Sequence, residues 1–328
     1  MNITIHYFSG CGNTAWVVSR AVQMLQSLGH TVVLVQDIEQ ALPTSMPISD
    51  VDFFMSPTFF FGLPTNFVAY LKRLPMVAGR KAVFWSVNAG VAGVSCVMAS
   101  GLLKDRGYDV IATGTVQMPD TFLFLKASQM SAQERQDVLK NALTQIKDNL
   151  TVLDNPPPLE NKSILKTFLY GVVYMLYYVV VRHTIGLSFV SSSKCIHCGL
   201  CAQNCPVKAI RFDGQKPHWN TGCVGCFRCV NACPACAIDY SMYAVLFGAA
   251  GAIAGAMIFC DIFPFLGFIS KLAGLLGGWF AGCFVFQRVS SMFSTDKMLC
   301  LVDKKRVLLT DDEKKYNVTN IKENEERK

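Results

Sequence analysis

Five histidines, His6, His30, His183, His197 and His218, are scattered through the 328 residues, and no HExxH pair and no ordered Ser/His/Asp set accompanies them. Hydrolytic chemistry therefore has no support. Ahead of the first strand-like run, Met1 to Phe8, there is neither a basic n-region nor a cleavage site. The expectation is an N-terminal domain that stays in the cytoplasm, where reducing conditions keep thiols free and turn clustered cysteines toward metal binding and away from disulfides. Charge is missing altogether from two stretches, 241–260 and 272–287. The net charge of +7 lies partly in a C-terminal tail of mixed sign (Lys304, Lys305, Arg306, then Asp311, Asp312, Glu313). Such a tail reads as a solvated segment, and no nucleic acid partner is expected.

What is present divides the chain into five parts. Short apolar runs alternate with helix-like segments up to about residue 150, the βαβ rhythm of a parallel sheet covered on both faces. Strands are expected at 2–8, 30–35, 51–57, 81–87 and 109–116. The run Asp154-Asn155-Pro156-Pro157-Pro158 breaks any helix and ends a first domain at 1–153. A linker at 154–190 holds an apolar, aromatic helix candidate from Ser163 to Val181. A cysteine-rich module follows at 191–240, opening on a Ser191-Ser192-Ser193 spacer. Beyond it come an apolar pair of helices at 241–288 and a charged tail at 289–328.

Eight of the 14 cysteines stand in the module as two copies of one run. Cys195-x-x-Cys198-x-x-Cys201-x-x-x-Cys205-Pro206 is followed by Cys223-x-x-Cys226-x-x-Cys229-x-x-x-Cys233-Pro234. This is the run typical of bacterial ferredoxins, in which three close thiolates wrap one 4Fe-4S cube and the fourth cysteine reaches the other. One cluster is thus expected on Cys195, Cys198, Cys201 and Cys233, and a second on Cys223, Cys226, Cys229 and Cys205. Two structural zinc sites would also use eight thiols, but zinc modules present CxxC pairs and not this longer run. Cys236, a ninth thiol nearby, reads as a spare, partly buried cysteine.

The first strand-to-helix turn, Ser9-Gly10-Cys11-Gly12-Asn13-Thr14, offers successive backbone N–H groups and hydroxyls to a phosphate at a helix N-terminus. It contains no Lys or Arg, unlike the GxxxxGK loop of a P-loop NTPase. Two more loops follow the third and fourth strands: Ser56-Pro57-Thr58-Phe59-Phe60-Phe61-Gly62-Leu63-Pro64 and Asn88-Ala89-Gly90-Val91-Ala92-Gly93. In a doubly wound five-stranded sheet of order 2-1-3-4-5, these loops converge at the switch point. Three consecutive phenylalanines in a loop cannot all point inward, which leaves at least one to lie beside a flat apolar ring.

The three loops resemble the FMN-binding loops of flavodoxins, and their pairing with the cysteine module resembles the flavodoxin-ferredoxin fusion family over roughly residues 1–240. The resemblance implies FMN held by Ser9, Gly10, Cys11, Gly12, Asn13 and Thr14, by Pro57, Thr58, Phe59, Phe60, Phe61 and Gly62, and by Asn88, Ala89, Gly90 and Gly93. Cys11 departs from the threonine usual in flavodoxins. Phosphate contacts here are largely backbone N–H, so a small loop residue is the simpler reading, ahead of a reactive thiol at a helix N-terminus.

The helix candidate at 163–181 carries Lys166 and four tyrosines, Tyr170, Tyr174, Tyr177 and Tyr178. If it spanned a bilayer, flavin and clusters would lie on opposite faces of a hydrocarbon core about 30 Å thick. It is therefore read as an interdomain helix. The pair at 241–288 differs, because Gly251-x-x-x-Gly255 and Gly274-x-x-x-Gly278-x-x-x-Gly282 supply small-residue faces on which two transmembrane helices pack. A buried soluble hairpin is the alternative. Asp261 and Pro264 mark the turn, and Arg288, Lys297, Lys304 and Lys305 after it suit a cytoplasmic tail. The cofactor domains are then expected at the cytoplasmic face of the cell membrane. The functional expectation is electron transfer linking an unidentified soluble redox protein to a membrane acceptor, with no catalytic residue assigned. An FMN-dependent reductase of a quinone or other small substrate is the second reading, and a structural or sensing subunit of a membrane redox assembly the third.

Overall fold

The computed structural model describes residues 1–40, 47–121, 130–153, 164–262 and 268–292, in two compact units. The Asp154–Pro158 break, the turn at Pro264 and the tail residues Lys297, Lys304 and Lys305 lie outside the described residues.

The first unit is built on five parallel strands: β1 (Asn2–Tyr7), β2 (Thr31–Asp37), β3 (Val51–Pro57), β4 (Arg80–Asn88) and β5 (Tyr108–Gln117). They lie in the order β2-β1-β3-β4-β5, as expected. Strand β1 shows why. Ile3, Ile5 and Tyr7 point to one face while Thr4, His6 and Phe8 point to the other, and all six are buried, so the strand must sit inside the sheet with helices on both sides. On one face, α1 (Asn13–Ser27) and α4 (Ala132–Leu150) close a core around Trp16, Phe53, Trp85 and Ile146. On the other, α2 (Thr65–Arg73) and α3 (Ser95–Lys104) close a core around Phe8, Phe54, Phe67 and Phe84. Helix α4 starts at a capping box, in which Ser131 Oγ accepts from Glu134 N and Glu134 Oε2 accepts from Ser131 N.

Helix α5 (Ile164–Leu176) runs on through a π-helical turn, Tyr177–Val181, into α6 (Arg182–Thr184). The second unit, from Leu176 on, contains two small antiparallel pairs. Strand β6 (Phe189–Ser191) pairs with β9 (Ile238–Tyr240), and β7 (Ile210–Phe212) with β8 (Pro217–Trp219). Ser191 is therefore a buried strand residue and Ser192 N donates to Ala237 O, so the triple serine belongs to a ladder and is not a free spacer. Short helices α7 (Leu200–Gln203) and α8 (Arg228–Ala232) each carry the third cysteine of a run, Cys201 and Cys229, and end just before the fourth.

Helices α9 (Met242–Ile262) and α10 (Phe268–Met292) form an antiparallel hairpin packed glycine on backbone. A Cβ added to Gly251 would stand 2.2 Å from Gly278 O, and one added to Gly282 would stand 2.0 Å from Phe247 O. Only glycine permits that approach. The hairpin base is fastened to the module: Phe286 and Ala244 pack with Val190, and Gln287 Nε2 donates to Trp219 O at 2.5 Å. Among the described residues two helical runs are long and apolar enough to cross a membrane, Ile164–Thr184 and Ile269–Ser290, while Tyr243–Phe259 is apolar but shorter.

Candidate cofactor sites

In the first unit the three loops emerge at the carboxyl ends of β1, β3 and β4. Gly12 takes φ 103°, a left-handed conformation, so the chain can turn directly into α1. Ser9 Oγ accepts from both Gly12 N and Ala15 N at 3.1 Å. One hydroxyl thus occupies two helix-N-terminal donors of the kind that hold a phosphate oxygen. Asn13 Nδ2 donates to Pro119 O at 2.7 Å, which ties the turn to the end of β5. Thr14 Oγ1 is buried and has no hydrogen-bond partner, an orphan that an anion at the turn would satisfy. Cys11 is half-buried.

The second loop closes on itself. Phe59 and Gly62 exchange both backbone hydrogen bonds, at 2.9 and 3.0 Å, and the two residues between them, Phe60 and Phe61, adopt φ of 48° and 67°. This left-handed pair is normally the place of Asn-Gly, and each bulky residue there costs roughly 1–2 kcal/mol. The strain is held by surrounding contacts. Phe61 O accepts from Val94 N at 2.7 Å, Gly93 at φ 56° lets the third loop press against the Phe61 backbone, and the Phe61 ring stacks on Tyr170 at 4.9 Å. Tyr174 lies flat on Gly62 and donates to Leu63 O at 2.8 Å. Phe59 packs edge-on to Phe8 in the core, so the three phenylalanines separate: one in the core, one on α5, and Phe60 half-buried at the tip.

The second and third loops share a hydroxyl cluster. Thr58 Oγ1 bonds Ser86 Oγ at 2.6 Å and Ser95 Oγ at 3.0 Å. Asn88 Oδ1 accepts from Gly90 N at 2.9 Å and Ala89 O from Gln117 Nε2 at 3.3 Å. Pro57 ends β3 and places Thr58 at the sheet edge. Sequence reasoning had no hold on Ser86 or Ser95 as members of this site, and it named Tyr170 and Tyr174 only as part of the interdomain helix. For the tyrosines a signal existed, since Tyr170 and Tyr174 are four apart and share one helix face.

Buried polar groups run from the amino ends of β3, β4 and β5, where Asp52, Arg80 and Tyr108 stand, to His6 in β1. Asp52 is fully buried, bonds Ser49 and Tyr108, and pairs with Arg80 at 3.4 Å. Burial raises the Asp52 carboxyl above its ordinary range against those partners. His6 Nδ1 bonds Tyr70 Oη at 2.6 Å and the ring stacks on Phe54 at 4.7 Å. Burial first, and the Arg80 charge second, hold the His6 ring at a pKa of about 3, so it stays neutral.

In the second unit one cavity is lined by Cys205, Cys223, Cys226 and Cys229 together with Phe189, Pro206, Val207, Ile210, Trp219, Val224, Phe227 and Arg228. The first run thus contributes its fourth cysteine to the three close cysteines of the second. Cys201 lies near enough to both Cys195 and Cys198 for their charges to add to the burial that raises its thiol above the ordinary value. Backbone donors point at the sulfurs: Ala209 N to Cys205 Sγ at 3.2 Å, Ala237 N to Cys233 Sγ at 3.4 Å, Gly225 N to Cys223 Sγ at 3.5 Å. Among the described residues no three Cys, His, Asp or Glu side chains converge closely enough to hold a single metal ion. Thiols spread round a cavity suit a cube with iron at several corners better than one tetrahedral zinc. Burial pushes Cys223 up to about 12 and Cys229 well above the ordinary thiol, so their thiolates need the compensating charge of iron. Left-handed Gly199 and Phe227 start the short helices α7 and α8. His197 Nδ1 is engaged by Gln215 O, and Cys236 sits at φ 51° in the turn before β9.

A doubly wound sheet with three loops at its switch point, joined to a paired cysteine run, defines an electron-transfer protein of flavodoxin-plus-ferredoxin type. Residues 188–234 match the 4Fe-4S dicluster domain family, and the module carries two 4Fe-4S clusters. No curated relative matches the chain. Solved structures similar to its N-terminal half include oxidised Flavodoxin 1 from Bacillus cereus (16% identity, 47% of this chain and 99% of that one, TM-score 0.33). Two-electron reduced Megasphaera elsdenii flavodoxin is another (20% identity, 43% and 98%, TM-score 0.28). Likenesses at this level add nothing to what the strand order already establishes.

Proposed function

We propose that this chain is a membrane-anchored electron carrier that binds one FMN at the three loops of the first unit and passes electrons between a soluble redox protein and an acceptor at the membrane. The observation that carries the reading is the four-cysteine cavity formed from both runs in a chain that also has three converging loops on a 2-1-3-4-5 sheet. When bound, FMN exchanges one or two electrons and each cluster one. The protein's own residues supply the setting. Gly12 turns the chain into the start of α1, where Ser9 Oγ holds the Gly12 and Ala15 N–H groups in the place of a phosphate oxygen, Thr14 offers an unengaged hydroxyl, and the strained Phe60–Phe61 turn offers an aromatic surface held fixed by its neighbours. On the cluster side the cysteines bind, the N–H donors to sulfur tune the reduction potential, and Phe189, Trp219 and Phe227 limit water. The glycine-faced hairpin α9–α10 is the anchor, with Leu246, Ile253, Met257 and Leu272 turned outward.

The test is anaerobic purification in detergent, with iron, acid-labile sulfide and flavin quantified per chain and the reduced protein examined by EPR. About eight irons and eight sulfides with one FMN and a signal from two interacting clusters supports the carrier. Zinc in place of iron, or no retained flavin, overturns it. Carbonate-resistant association with membranes tests the anchor separately.

A further inference from the structure

We propose that the Trp219 indole N–H donates a hydrogen bond to a sulfur of the cluster held by Cys205, Cys223, Cys226 and Cys229, and so raises the reduction potential of that cluster alone. The proposal rests on the cluster assignment, which it deepens, and lies wholly within the second unit.

Trp219 ends β8 and lines the four-cysteine cavity. Only 4% of the residue is exposed, yet Nε1 has no hydrogen-bond partner among the described residues. A buried indole usually finds an acceptor, because a donor removed from water and left unpaired is costly. The cavity decides which acceptor is on offer. Apart from the four cysteines and Arg228 its lining side chains are apolar, and a guanidinium has donors only. Arg228 Nη1 is itself engaged by Asn204 O at 3.1 Å. Sulfur is therefore the side-chain acceptor that the cavity provides. The indole stands close enough to Cys229 to favour its thiolate, against the burial that raises the thiol, without completing a bond to it.

The donor is fixed by its backbone. Trp219 pairs with Ile210 of β7, Asn220 N donates to Ala209 O at 3.0 Å, and Trp219 O accepts from Gln287 Nε2 of α10 at 2.5 Å. The ring packs on Phe189 at 5.7 Å. A donor held this way acts on charge. Reduction adds one electron and no proton, the sulfurs become more negative, and the N–H bond to them strengthens, so the reduced state gains more than the oxidised one.

The effect falls on one cluster because the two runs differ here. Trp219 stands four residues before Cys223, whereas Ser191 stands four residues before Cys195. These are equivalent places, since β6 ends on Ser191 as β8 ends on Trp219. The second run alone has the indole.

The experiment uses the full chain, purified anaerobically in detergent with its clusters in place, in a redox titration followed by EPR. Trp219→Phe keeps an aromatic ring and removes the N–H. One of the two midpoint potentials should fall, by about threefold to tenfold in the reduced-to-oxidised ratio or about 30 to 60 mV for one electron, while the other stays. In wild-type protein labelled with nitrogen-15 at the tryptophan indoles, pulsed EPR of the reduced state should show a nitrogen coupling that the variant lacks. Trp279→Phe is the control and should change neither measurement, because Trp279 Nε1 already donates to Thr184 Oγ1 at 3.3 Å. Absence of the coupling in wild-type protein overturns the inference, even where the Trp219 variant loses a cluster or its potential falls. Unchanged potentials, or an equal shift of both, in a variant that keeps its iron overturn it as well. Wild-type protein with well under about eight irons overturns the cluster assignment itself.

Discussion

Replacing Gly93 by alanine isolates the contact that fixes the aromatic turn. Gly93 has φ 56°, and an added Cβ would lie 2.2 Å from Phe61 O and 2.5 Å from Phe61 Cβ. A non-glycine residue in the left-handed region costs roughly 1–2 kcal/mol, and forcing a methyl group into filled space costs about 1–3 kcal/mol. The obstacle is backbone, which cannot rotate away, so the third loop must move and the Val94 N to Phe61 O bond must lengthen or break. If the wild-type arrangement is the one that receives FMN, even the lower sum of about 2 kcal/mol weakens binding about 30-fold. Quenching of FMN fluorescence on titration into apoprotein measures this, and thermal unfolding followed through Trp16 and Trp85 measures the strain without flavin. Gly101 in α3 is the control, since nothing lies within 4 Å of a Cβ there and alanine should be neutral or slightly stabilising. An unchanged melting curve together with FMN affinity within about threefold of wild type would refute the reasoning.

Other consequences are open to measurement. Cys205→Ser should remove the cluster bound by Cys223, Cys226 and Cys229, lowering iron from about eight to about four per chain and abolishing the interaction between clusters in EPR, with the Cys195–Cys201 cluster retained. His6 is neutral in the fold at a pKa of about 3 and titrates near 6.5 when unfolded, so the unfolded state takes up more protons between those values. Its contribution is present above about pH 6.5 and is lost as pH falls, by about 2 kcal/mol at pH 5. Asp52, raised by burial, acts in the opposite sense, so the His6 effect is read as the difference in denaturant stability between wild type and His6→Gln across that range. A difference independent of pH would contradict it. Gly278→Leu should separate α9 from α10, because a side chain there meets Gly251 O at 2.0 Å, and is checked by loss of protease resistance of the hairpin in detergent.

Sequence pattern determined the most where chemistry forces spacing. The eight cysteines, the five strands and their order, and the glycine faces of the hairpin could be read directly, because cube ligation, buried parallel strands and close helix approach each restrict residue type at fixed intervals. The three loops were legible as a set, since a doubly wound sheet brings the ends of β1, β3 and β4 together whatever their sequences. Tertiary structure alone decided how the phenylalanines separate, which hydroxyls gather at Thr58, and that Ser191 belongs to a ladder. These depend on partners distant in sequence: Phe61 meets Tyr170, Thr58 meets Ser86 and Ser95, and Ser191 pairs with Ile238. The same holds for α5. Its hydropathy is that of a membrane span, and only the structure shows Tyr174 and Tyr177 buried with their hydroxyls on the carbonyls of Leu63 and Val224. Composition records how apolar a helix is, whereas which of its side chains find protein partners depends on residues distant in the chain.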